Sequence, residues 1–501
     1  MTVARFQRPP AANAGYIDPL GLGQNCAANV SLPARRSSVS SGGALFSSSY
    51  YKRSPPWFQE WLIASRAWAR GALRESRSFR QVRAEIERSQ WLQPAEMHRM
   101  QADRITAMVH HAATTVPYYR ERFRELGLDV SRMEFPRDLH QLPFLTKNDV
   151  RKAGMSLVAH NAQKPLVSVS TSGTTGSPVW FHQDLTSITR ENAFIWRHLG
   201  WAGLKPGERR AWIRGEPIVP PERLTAPYWR LNRADNMLML SSLHLSDRNA
   251  PGYLEAMARF DPVVIQAYPS SISFLAAWME NRGTRYQGKS LRSVVTSSEM
   301  FDREQQEQVA RVFGCQVMDW YGLVERVAAI GQCEHGRYHV MTDYSFVEFE
   351  PTEEEGLFEP VGSTFNNFSM PLLRYRCADL VRLASPDERC SCGRHMPLVT
   401  EIIGRTDDFI KLPDGRRMAA CLAGNMFRGV TGILEGQIEQ DAIDTLTIRV
   451  VPSAHYSPAS AAQLLANARQ RLGGAVACEV VVVDEIKRPA RGKFKAVICR
   501  I

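Results

Sequence analysis

The order of apolar and polar residues predicts alternating strands and helices over the second half of the chain. From about residue 165 onward, short β-branched runs are separated by stretches in which apolar residues recur every three or four positions. Strands are predicted at 167–169, 263–268, 293–296 and 315–319, and helices at 271–282 and 302–313. This alternation is typical of an α/β domain with a largely parallel sheet. Strands at 445–451 and 478–483, with a helix at 458–472 between them, predict a small α+β domain near the C-terminus.

The N-terminal part is predicted to be helical. Apolar residues recur at helical spacing from position 57 to about position 86, beginning with Trp57, Trp61, Ala64, Trp68 and Ala72. We interpret this stretch as an amphipathic helix whose tryptophan face packs on the protein body and whose arginine face is solvated. A basic surface for nucleic acid or a membrane is the alternative, although no zinc-finger, homeodomain or RNP pattern lies nearby.

A second helical stretch covers residues 97–113 and leads into a loop and a further helix. The loop at 142–147 ends at Thr146, whose hydroxyl is suited to cap a helix in which Asp149 is the third residue.

Composition excludes several classes of protein. The chain has 501 residues, of which 44% are hydrophobic and 23% charged, so it is too long for one ordinary domain and able to form a core. No apolar stretch approaches the roughly 20 residues of a membrane-spanning helix. Nine cysteines without the spacing of a secreted scaffold favour reduced thiols and a cytoplasmic protein. The net charge of +11 is compatible with nucleic acid, an anionic membrane surface or anionic small molecules as partners.

The first fifty residues differ from the rest of the chain. Asp18 is their one acidic residue, and seven serines crowd positions 37–49 beside Gly42 and Gly43. Such a segment has little apolar surface to offset its ordering entropy, so we expect it to be disordered or loosely attached. A transit peptide is the alternative, but prolines and glycines disfavour the amphipathic helix that such a peptide needs.

A glycine- and hydroxyl-rich loop follows the strand predicted at 167–169. Its two glycines allow a tight turn in which N–H groups and hydroxyls point at one anion, which makes it a candidate phosphate loop. It lacks the Gly-Lys-Ser/Thr ending of a Walker A motif. A simple hydroxyl-rich turn is the alternative. The candidate phosphate-binding residues are Thr171, Ser172, Gly173, Thr174, Thr175 and Gly176.

Further motifs follow this loop in a set order, and together they resemble those of the adenylate-forming superfamily. Within it, the sequence is most similar to the phenylacetate–CoA ligase-like branch, which includes coenzyme F390 synthetase-like members. The resemblance runs from about residue 95 to the end of the chain. The motifs are 116–119 (Val-Pro-Tyr-Tyr), 142–147 (Leu-Pro-Phe-Leu-Thr-Lys), 171–178, Ser298-Glu299, 321–325 (Tyr-Gly-Leu-Val-Glu), 374–379 (Arg-Tyr-Arg-Cys-Ala-Asp), 404–408 (Gly-Arg-Thr-Asp-Asp) and Gly492-Lys493.

The resemblance implies an α/β fold with a large N-terminal adenylate-forming domain of mixed sheets and helices and a small mobile α+β C-terminal domain. We therefore divide the chain into a low-complexity segment (1–50), a helical extension (51–95), a large ATP- and acid-binding domain (96–404) and a C-terminal lid (405–501). In the family, the small domain rotates between an adenylating and a thioester-forming pose. Asp407 lies at the position where that hinge turns.

The resemblance also implies roles for single residues. Ser298 and Glu299 wall the adenine pocket, and Tyr321 offers an aromatic face on which adenine stacks. Asp379 accepts hydrogen bonds from the ribose hydroxyls, and Arg405 helps to hold the ribose or phosphate region. The alternative for Tyr321 is a core aromatic residue. The alternative for Asp379, Arg405 and Glu325 is an ordinary surface ion pair.

Two charged residues are expected to serve the chemistry itself. Glu325 is the expected Mg²⁺ ligand, since this hard cation prefers carboxylate oxygens together with nucleotide phosphates. Lys493 is the expected catalytic cation at the bridging oxygen of the adenylate, with Lys495 and Lys487 as nearby competitors. The sequence departs from the family at Val324, where a threonine hydroxyl usually contacts the α-phosphate. Cys377 and Ala378 also replace the usual Thr and Gly.

Cysteine spacing predicts a zinc site. Cys390 and Cys392 lie one residue apart, and Cys333, His335 and His339 lie upstream. Three thiols and one imidazole complete a closed tetrahedral site of the kind that holds structural Zn²⁺. The phenylacetate–CoA ligase-like branch has members with a cysteine-rich zinc site at matching positions, and there the histidine begins a strand, which favours His339. Adjacent free thiols are the alternative.

These inferences lead us to expect an ATP-dependent ligase that activates a carboxylic acid as an acyl- or aryl-AMP and passes the acyl group to coenzyme A. An amide or ester ligase with an amine or hydroxyl acceptor is the runner-up. We expect a small acid as partner, and neither nucleic acid nor a membrane, while a homodimer stays open. Four aromatic residues hint at an aromatic acid, although core packing explains them equally well: Trp196, Trp201, Tyr228 and Trp320.

Overall fold

The computed structural model describes most of the chain in one compact unit, Val39–Ile501. The described residues are 45–46, 48–74, 77–170, 179–405, 409–413, 417–419, 425–427, 429–472, 475–488 and 494–501. The expectation of disorder in the first fifty residues therefore falls almost entirely outside the described residues. Among the described helices, none combines the length and the hydropathy needed to cross a membrane.

The helices predicted from apolar spacing are present. The stretch from 57 to 86 forms two helices, and residues 97–113 form the middle of one long helix. The helices are α1 (Ser49–Arg53), α2 (Pro56–Arg74), α3 (Arg77–Ser89), α4 (Pro94–Thr115), α5 (Pro117–Glu125), α6 (Lys147–Ala153), α7 (Leu185–Trp201), α8 (Ala250–Phe260), α9 (Pro269–Glu280), α10 (Arg303–Phe313) and α11 (Pro458–Leu472). The predicted cap of α6 is confirmed, because the Thr146 hydroxyl accepts from the Asp149 amide while the Asp149 carboxylate accepts from the Thr146 amide.

The strands belong mainly to one large mixed sheet. They are β1 (Val167–Ser170), β2 (Trp180–Gln183), β3 (Arg210–Arg214), β4 (Trp229–Asn232), β5 (Met237–Ser241), β6 (Val264–Ala267), β7 (Ser293–Ser297), β8 (Gln316–Gly322), β9 (Ala329–Gln332), β10 (Tyr338–Val340), β11 (Ser345–Pro351), β12 (Phe358–Thr364), β13 (Tyr375–Arg376), β14 (Asp379–Leu383), β15 (Leu398–Arg405), β16 (Phe409–Lys411), β17 (Arg417–Ala419), β18 (Ile433–Ala442), β19 (Thr445–Pro452), β20 (Ala477–Val482) and β21 (Val497–Cys499). Within the described residues, thirteen strands form the large sheet in the order β11-β12-β14-β15-β10-β9-β8-β7-β6-β3-β5-β4, with β13 paired to β12.

The middle of this sheet is parallel, as the sequence predicts. Strands β5, β3, β6, β7 and β8 pair in parallel, and β8 then pairs antiparallel with β9. Every residue of β6 is buried, which fits a parallel strand whose two faces are both covered. Helices α9 and α10 connect β6 to β7 and β7 to β8. Because these strands run the same way, their carboxyl ends meet at one edge, where open α/β sheets bind ligands.

A separate sheet forms near the C-terminus, in the order β20-β19-β18-β21. Helix α11 packs on it, and its buried residues form a core of their own that includes Ile438, Ile448, Leu464 and Val497. This matches the predicted small α+β unit. The boundary at residue 405 and the rotation of this unit stay predictions.

The prediction that the tryptophan face of the N-terminal helix packs on the body is wrong. Trp57, Trp61 and Trp68 on α2 are largely exposed, whereas the buried side of the helix carries Ile63 and Ala67. This side contacts β4, and small or medium side chains let the helix lie close to that strand. Since α2 has apolar residues on both sides, periodicity identified the helix without selecting the side that packs.

Candidate functional site

Two of the predicted nucleotide-binding motifs lie side by side at the carboxyl edge of the parallel strands. Ser298 and Glu299 follow β7, and Tyr321 lies near the end of β8. The parallel register pairs Ser297 with Trp320, which brings the two motifs next to each other. Ser298 has a φ of 76°, a backbone conformation that non-glycine residues seldom adopt and that is enriched at functional sites.

Arg214 belongs to this edge, and sequence reasoning missed it. It ends β3, and its Nη2 atom donates to the Ser297 and Ser298 hydroxyls, at 2.8 Å each. Its guanidinium carbon lies 5.1 Å from the centroids of the Trp212 and Tyr268 rings. The only sequence signal for Arg214 was its place at the end of a strand, which became informative once the strand order was known.

Tyr321 and Asp379 are joined directly. The Tyr321 hydroxyl donates to Asp379 Oδ2 at 2.6 Å, although the two residues are 58 positions apart in sequence. Burial, together with the nearby Asp379 carboxylate, raises the pKa of the Tyr321 hydroxyl well above its usual value, so it stays a donor. Asp379 itself is buried at the start of β14. The contact therefore orients the carboxylate that the family resemblance assigns to ribose.

The carboxylate of Glu325, the expected magnesium ligand, also accepts a hydrogen bond from a tyrosine hydroxyl. The Tyr375 hydroxyl donates to Glu325 Oε1 at 3.1 Å. The 374–379 motif that carries Tyr375 is in turn anchored to the 142–147 motif, since Leu145 exchanges backbone hydrogen bonds with Arg374 and Arg376. Motifs that are more than 200 residues apart in sequence thus form one hydrogen-bonded assembly.

Three residues depart from the family motifs, and each lies in a different environment: Val324, Cys377 and Ala378. Val324 lies just beyond β8 and is 40% exposed. The usual threonine would present a hydroxyl donor at this accessible position, and valine presents none. Cys377 is buried in an apolar cluster, where a neutral thiol packs readily. Ala378 has a φ of 56°, a conformation that glycine adopts without strain. The alanine therefore keeps a backbone shape better suited to the usual glycine.

Glu299 connects this edge to the C-terminal unit. Its carboxylate accepts from the Ser270 amide at the start of α9, at 3.0 Å, and from the Phe494 amide, at 2.6 Å. Arg488 donates to the Ser270 hydroxyl at 2.9 Å and also pairs with Glu435. These contacts bring Phe494, the residue that follows Lys493 in sequence, to the carboxyl edge.

The loop 171–178, Asp407 and Lys493 lie outside the described residues. The loop does connect β1 to β2, which pair as a hairpin, and the expectation that it follows a strand is therefore confirmed. The backbone of Arg405 pairs with Asp379 between β14 and β15, so the ribose and hinge motifs adjoin.

The structure brings the four predicted zinc ligands together. Cys333 follows β9, His339 lies within β10, and Cys390 and Cys392 lie in the connection between β14 and β15. Their ligand atoms all lie within 4.8 Å of one another. The Cys333 and Cys390 sulfurs are 3.6 Å apart, and Cys392 Sγ is 3.4 Å from His339 Nε2.

These distances fit a tetrahedral zinc site. Bond lengths of about 2.3 Å for Zn–S and about 2.0 Å for Zn–N give tetrahedral edges of about 3.8 Å between sulfurs and about 3.5 Å between sulfur and nitrogen. Burial lowers the pKa of His339 to about 4, so the imidazole is neutral, as a metal ligand must be. His335, the competing histidine, is not part of the cluster of four.

The aromatic residues that hinted at an aromatic acid pack in the interior. Trp201 lies at the cysteine cluster, with Arg394 stacked 4.0 Å from its ring centroid and His339 at 6.1 Å. Trp320 packs against His198, with ring centroids 5.0 Å apart. Tyr228 is buried against His244 and Tyr253. These packing contacts account for three of the four aromatic residues without an acid.

Known proteins resemble this chain in both sequence and fold. A family model described as the CapK C-terminal domain matches residues 412–500. Protein CapK of Staphylococcus aureus is 22% identical over 72% of this chain and 79% of its own. The phenylacetate-coenzyme A ligase of Thermus thermophilus is 27% identical over 63% of this chain and 72% of its own.

A solved structure shares the fold. A 2-hydroxyisobutyryl-CoA ligase in the postadenylation state superposes with a TM-score of 0.65 at 17% identity, covering 82% of this chain and 91% of the ligase. The sequence matches to ligases and to CapK agree with the order of the motifs and with their convergence at one sheet edge. In sequence the chain is thus similar to CapK and to phenylacetate-coenzyme A ligases of the adenylate-forming, phenylacetate–CoA ligase-like branch, and it shares its fold with a CoA ligase.

Proposed function

We propose that the protein activates a small carboxylic acid with ATP and transfers the acyl group to coenzyme A. The observation that carries the proposal is the Tyr321–Asp379 hydrogen bond beside Ser298 and Glu299 at the carboxyl edge of β7 and β8. This arrangement places an aromatic ring, an oriented carboxylate and hydroxyl groups where an adenosine could bind. The relatives named as CoA ligases support coenzyme A as the acceptor.

In the first half-reaction, a carboxylate oxygen of the acid attacks the α-phosphorus of ATP. The new O–P bond forms as the bond to the bridging oxygen of the β-phosphate breaks, and pyrophosphate leaves. Tyr321 and Asp379 hold the adenine and the ribose, and the 171–178 loop binds phosphate through its N–H groups and hydroxyls. Glu325 would hold Mg²⁺, which neutralises phosphate charge.

Lys493 supplies the positive charge that stabilises the developing negative charge at the reacting oxygens. The Phe494–Glu299 hydrogen bond supports this role, because it ties the adjacent residue to the nucleotide edge. In the second half-reaction, the coenzyme A sulfur attacks the acyl carbon, the thiol proton is released, and the acyl–oxygen bond breaks to free AMP. We propose that rotation of the C-terminal unit about Asp407 separates the two steps.

The cluster of Cys333, His339, Cys390 and Cys392 would hold Zn²⁺ with all four positions filled by protein. Zinc there would join the β9–β10 connection to the long loop before β15. With no open position, the ion would have a structural role rather than a catalytic one.

Pyrophosphate release with a panel of carboxylic acids tests the function. We expect acid-dependent release from ATP, and a thioester detected by mass spectrometry when coenzyme A is present. Acid-dependent release without a thioester would identify an amine or hydroxyl as the acceptor. No release with any acid of a broad panel would refute the proposal.

Replacing the lysine tests its assigned step. Lys493→Ala should reduce adenylate formation by on the order of 10²–10³ while leaving thioester formation from pre-made acyl-AMP largely intact. Lys487→Ala is the matched control, since Lys487 is exposed on the same segment and should not affect either half-reaction. Equal loss of both half-reactions in Lys493→Ala would contradict the role.

A further inference from the structure

The exposed tryptophans of α2 lie along one side of the helix. Trp57, Trp61 and Trp68 are 69%, 59% and 73% exposed. At 3.6 residues per turn, their directions fall within about 40° of one another around the helix axis. Phe58 extends the surface, because its ring stacks on Trp61 with centroids 5.4 Å apart. We call Trp57, Trp61 and Trp68 the tryptophan stripe.

The opposite side of α2 is fixed to the protein, so the stripe is held facing outward. Gln59 is buried, donates to the Tyr51 carbonyl at 2.8 Å and accepts from Arg230 Nε at 2.6 Å. The Glu60 carboxylate accepts from the Leu231 amide of β4 at 3.0 Å. Rotating the helix to bury the indoles would break these hydrogen bonds and expose Ile63.

The N-terminal part of the sequence, which includes α2, carries most of the net charge of the chain. Residues 1–90 contain 13 basic and five acidic side chains, a net charge of +8 out of the total of +11. The other 411 residues together carry only +3. Arg53, Arg80 and Arg88 of this region are exposed. A surface that combines indoles with excess positive charge is complementary to one that combines apolar material with negative charge.

We propose that the tryptophan stripe docks the protein on the surface of an anionic lipid bilayer. An indole has an apolar body and a polar N–H, and such rings settle at the level of the lipid headgroups. Basic residues around an amphipathic helix add attraction to anionic lipids. The expectation of no membrane partner was made because the N-terminal part offered only charge in favour of one. The exposed indoles add an apolar surface to that charge.

A bilayer fits these observations better than a second copy of the chain. A symmetric dimer would bring the same patch of each copy together. Residues 45–90, which include the stripe, hold nine basic and four acidic residues, a net charge of +5. Two such segments would then face each other, and their repulsion opposes association. An anionic bilayer instead neutralises that charge while it covers the indoles.

Vesicle binding by the full-length protein tests the proposal. We expect flotation with vesicles of equal parts phosphatidylcholine and phosphatidylserine, weaker flotation with phosphatidylcholine alone, and a decrease at high salt. The variant Trp57→Ser/Trp61→Ser/Trp68→Ser should lose at least about tenfold in partition coefficient. A factor of ten corresponds to about 1.4 kcal/mol, less than burial of a single large apolar side chain can supply.

The matched control replaces three exposed apolar residues elsewhere, Leu126→Ser/Met155→Ser/Leu185→Ser, which are 44%, 63% and 47% exposed. It should float like the unmodified protein, and both variants should keep its circular dichroism spectrum. Equal loss in both variants, or no flotation of the unmodified protein, would overturn the proposal.

Two further results would also overturn it. Protection of the tryptophans from a soluble quencher without vesicles would mean that another part of the chain covers the stripe. A dimer that the tryptophan variant dissociates, in a protein that does not bind vesicles, would assign the stripe to a second copy. Neither result bears on pyrophosphate release, so this proposal and the proposed activity can fail independently.

Discussion

Replacing Tyr321 with phenylalanine removes one hydroxyl and keeps the aromatic ring, which separates two roles of this residue. The hydroxyl donates to Asp379 Oδ2 at 2.6 Å. Hydrogen bonds to charged groups contribute about 1.5–3 kcal/mol. Without this donor, the Asp379 carboxylate loses a contact that orients it toward the ribose. Taking the lower value, we expect the ATP dissociation constant to rise about tenfold.

Tyr321→Leu extends the test, because it removes the ring as well. Base–aromatic stacking is worth about 1–3 kcal/mol, so affinity for ATP should fall by roughly a further factor of ten or more. Isothermal titration calorimetry with ATP measures both steps. The order unmodified protein, Tyr321→Phe, Tyr321→Leu should appear in the dissociation constants.

Tyr338→Phe is the matched control. Tyr338 is buried in the same sheet, and its hydroxyl contacts Asp319 at 3.4 Å rather than Asp379. This variant should bind ATP like the unmodified protein. The reasoning is refuted if Tyr321→Phe, folded with an unchanged thermal midpoint, binds ATP with the original affinity. It is also refuted if Tyr338→Phe weakens binding equally.

Three further predictions concern other parts of the protein. Val324→Thr restores the usual hydroxyl at an exposed position, so adenylation should accelerate by up to about tenfold in pyrophosphate-release kinetics without loss of stability. Metal analysis should find about one zinc per chain, lost in Cys392→Ser and kept in the control Cys478→Ser, whereas a metal-free protein of normal fold would contradict the site. Burial raises the pKa of Asp319 to about 6, so the folded protein keeps a proton that the unfolded chain releases. Stability should therefore fall, by on the order of 3 kcal/mol, as pH rises from about 4 to above about 6, and denaturant titrations of Asp319→Asn should lack this slope.

The local pattern of apolar and polar residues was sufficient to predict most helices and strands of the fold. The expected strand at 293–296 is Ser293–Ser297, the expected helix at 302–313 is Arg303–Phe313, and the helix at 458–472 is Pro458–Leu472. The predicted and observed bounds agree because apolar periodicity, capping residues and strand propensity act over a few neighbouring residues. The strand at 315–319 is longer than expected and reaches Gly322, which puts Tyr321 inside β8 rather than after it.

The sequence predicted which motifs form the site, but not how their side chains are arranged in space. Motif order pointed to Tyr321, Asp379 and Glu299, but not to the contacts that orient them. Arg214 was missed because an arginine at a strand end has no distinctive local signal. Only the order of the strands places it beside the Ser298 hydroxyl.

The sequence by itself determined where helices and strands form and which family the motifs resemble, because both depend on neighbouring residues along the chain. Tertiary structure decided which side of α2 is buried, since that depends on how the helix packs against β4. It also brought Cys333 within 3.6 Å of Cys390, 57 positions away. Contacts at such separations follow from strand order and packing, which no short stretch of sequence specifies.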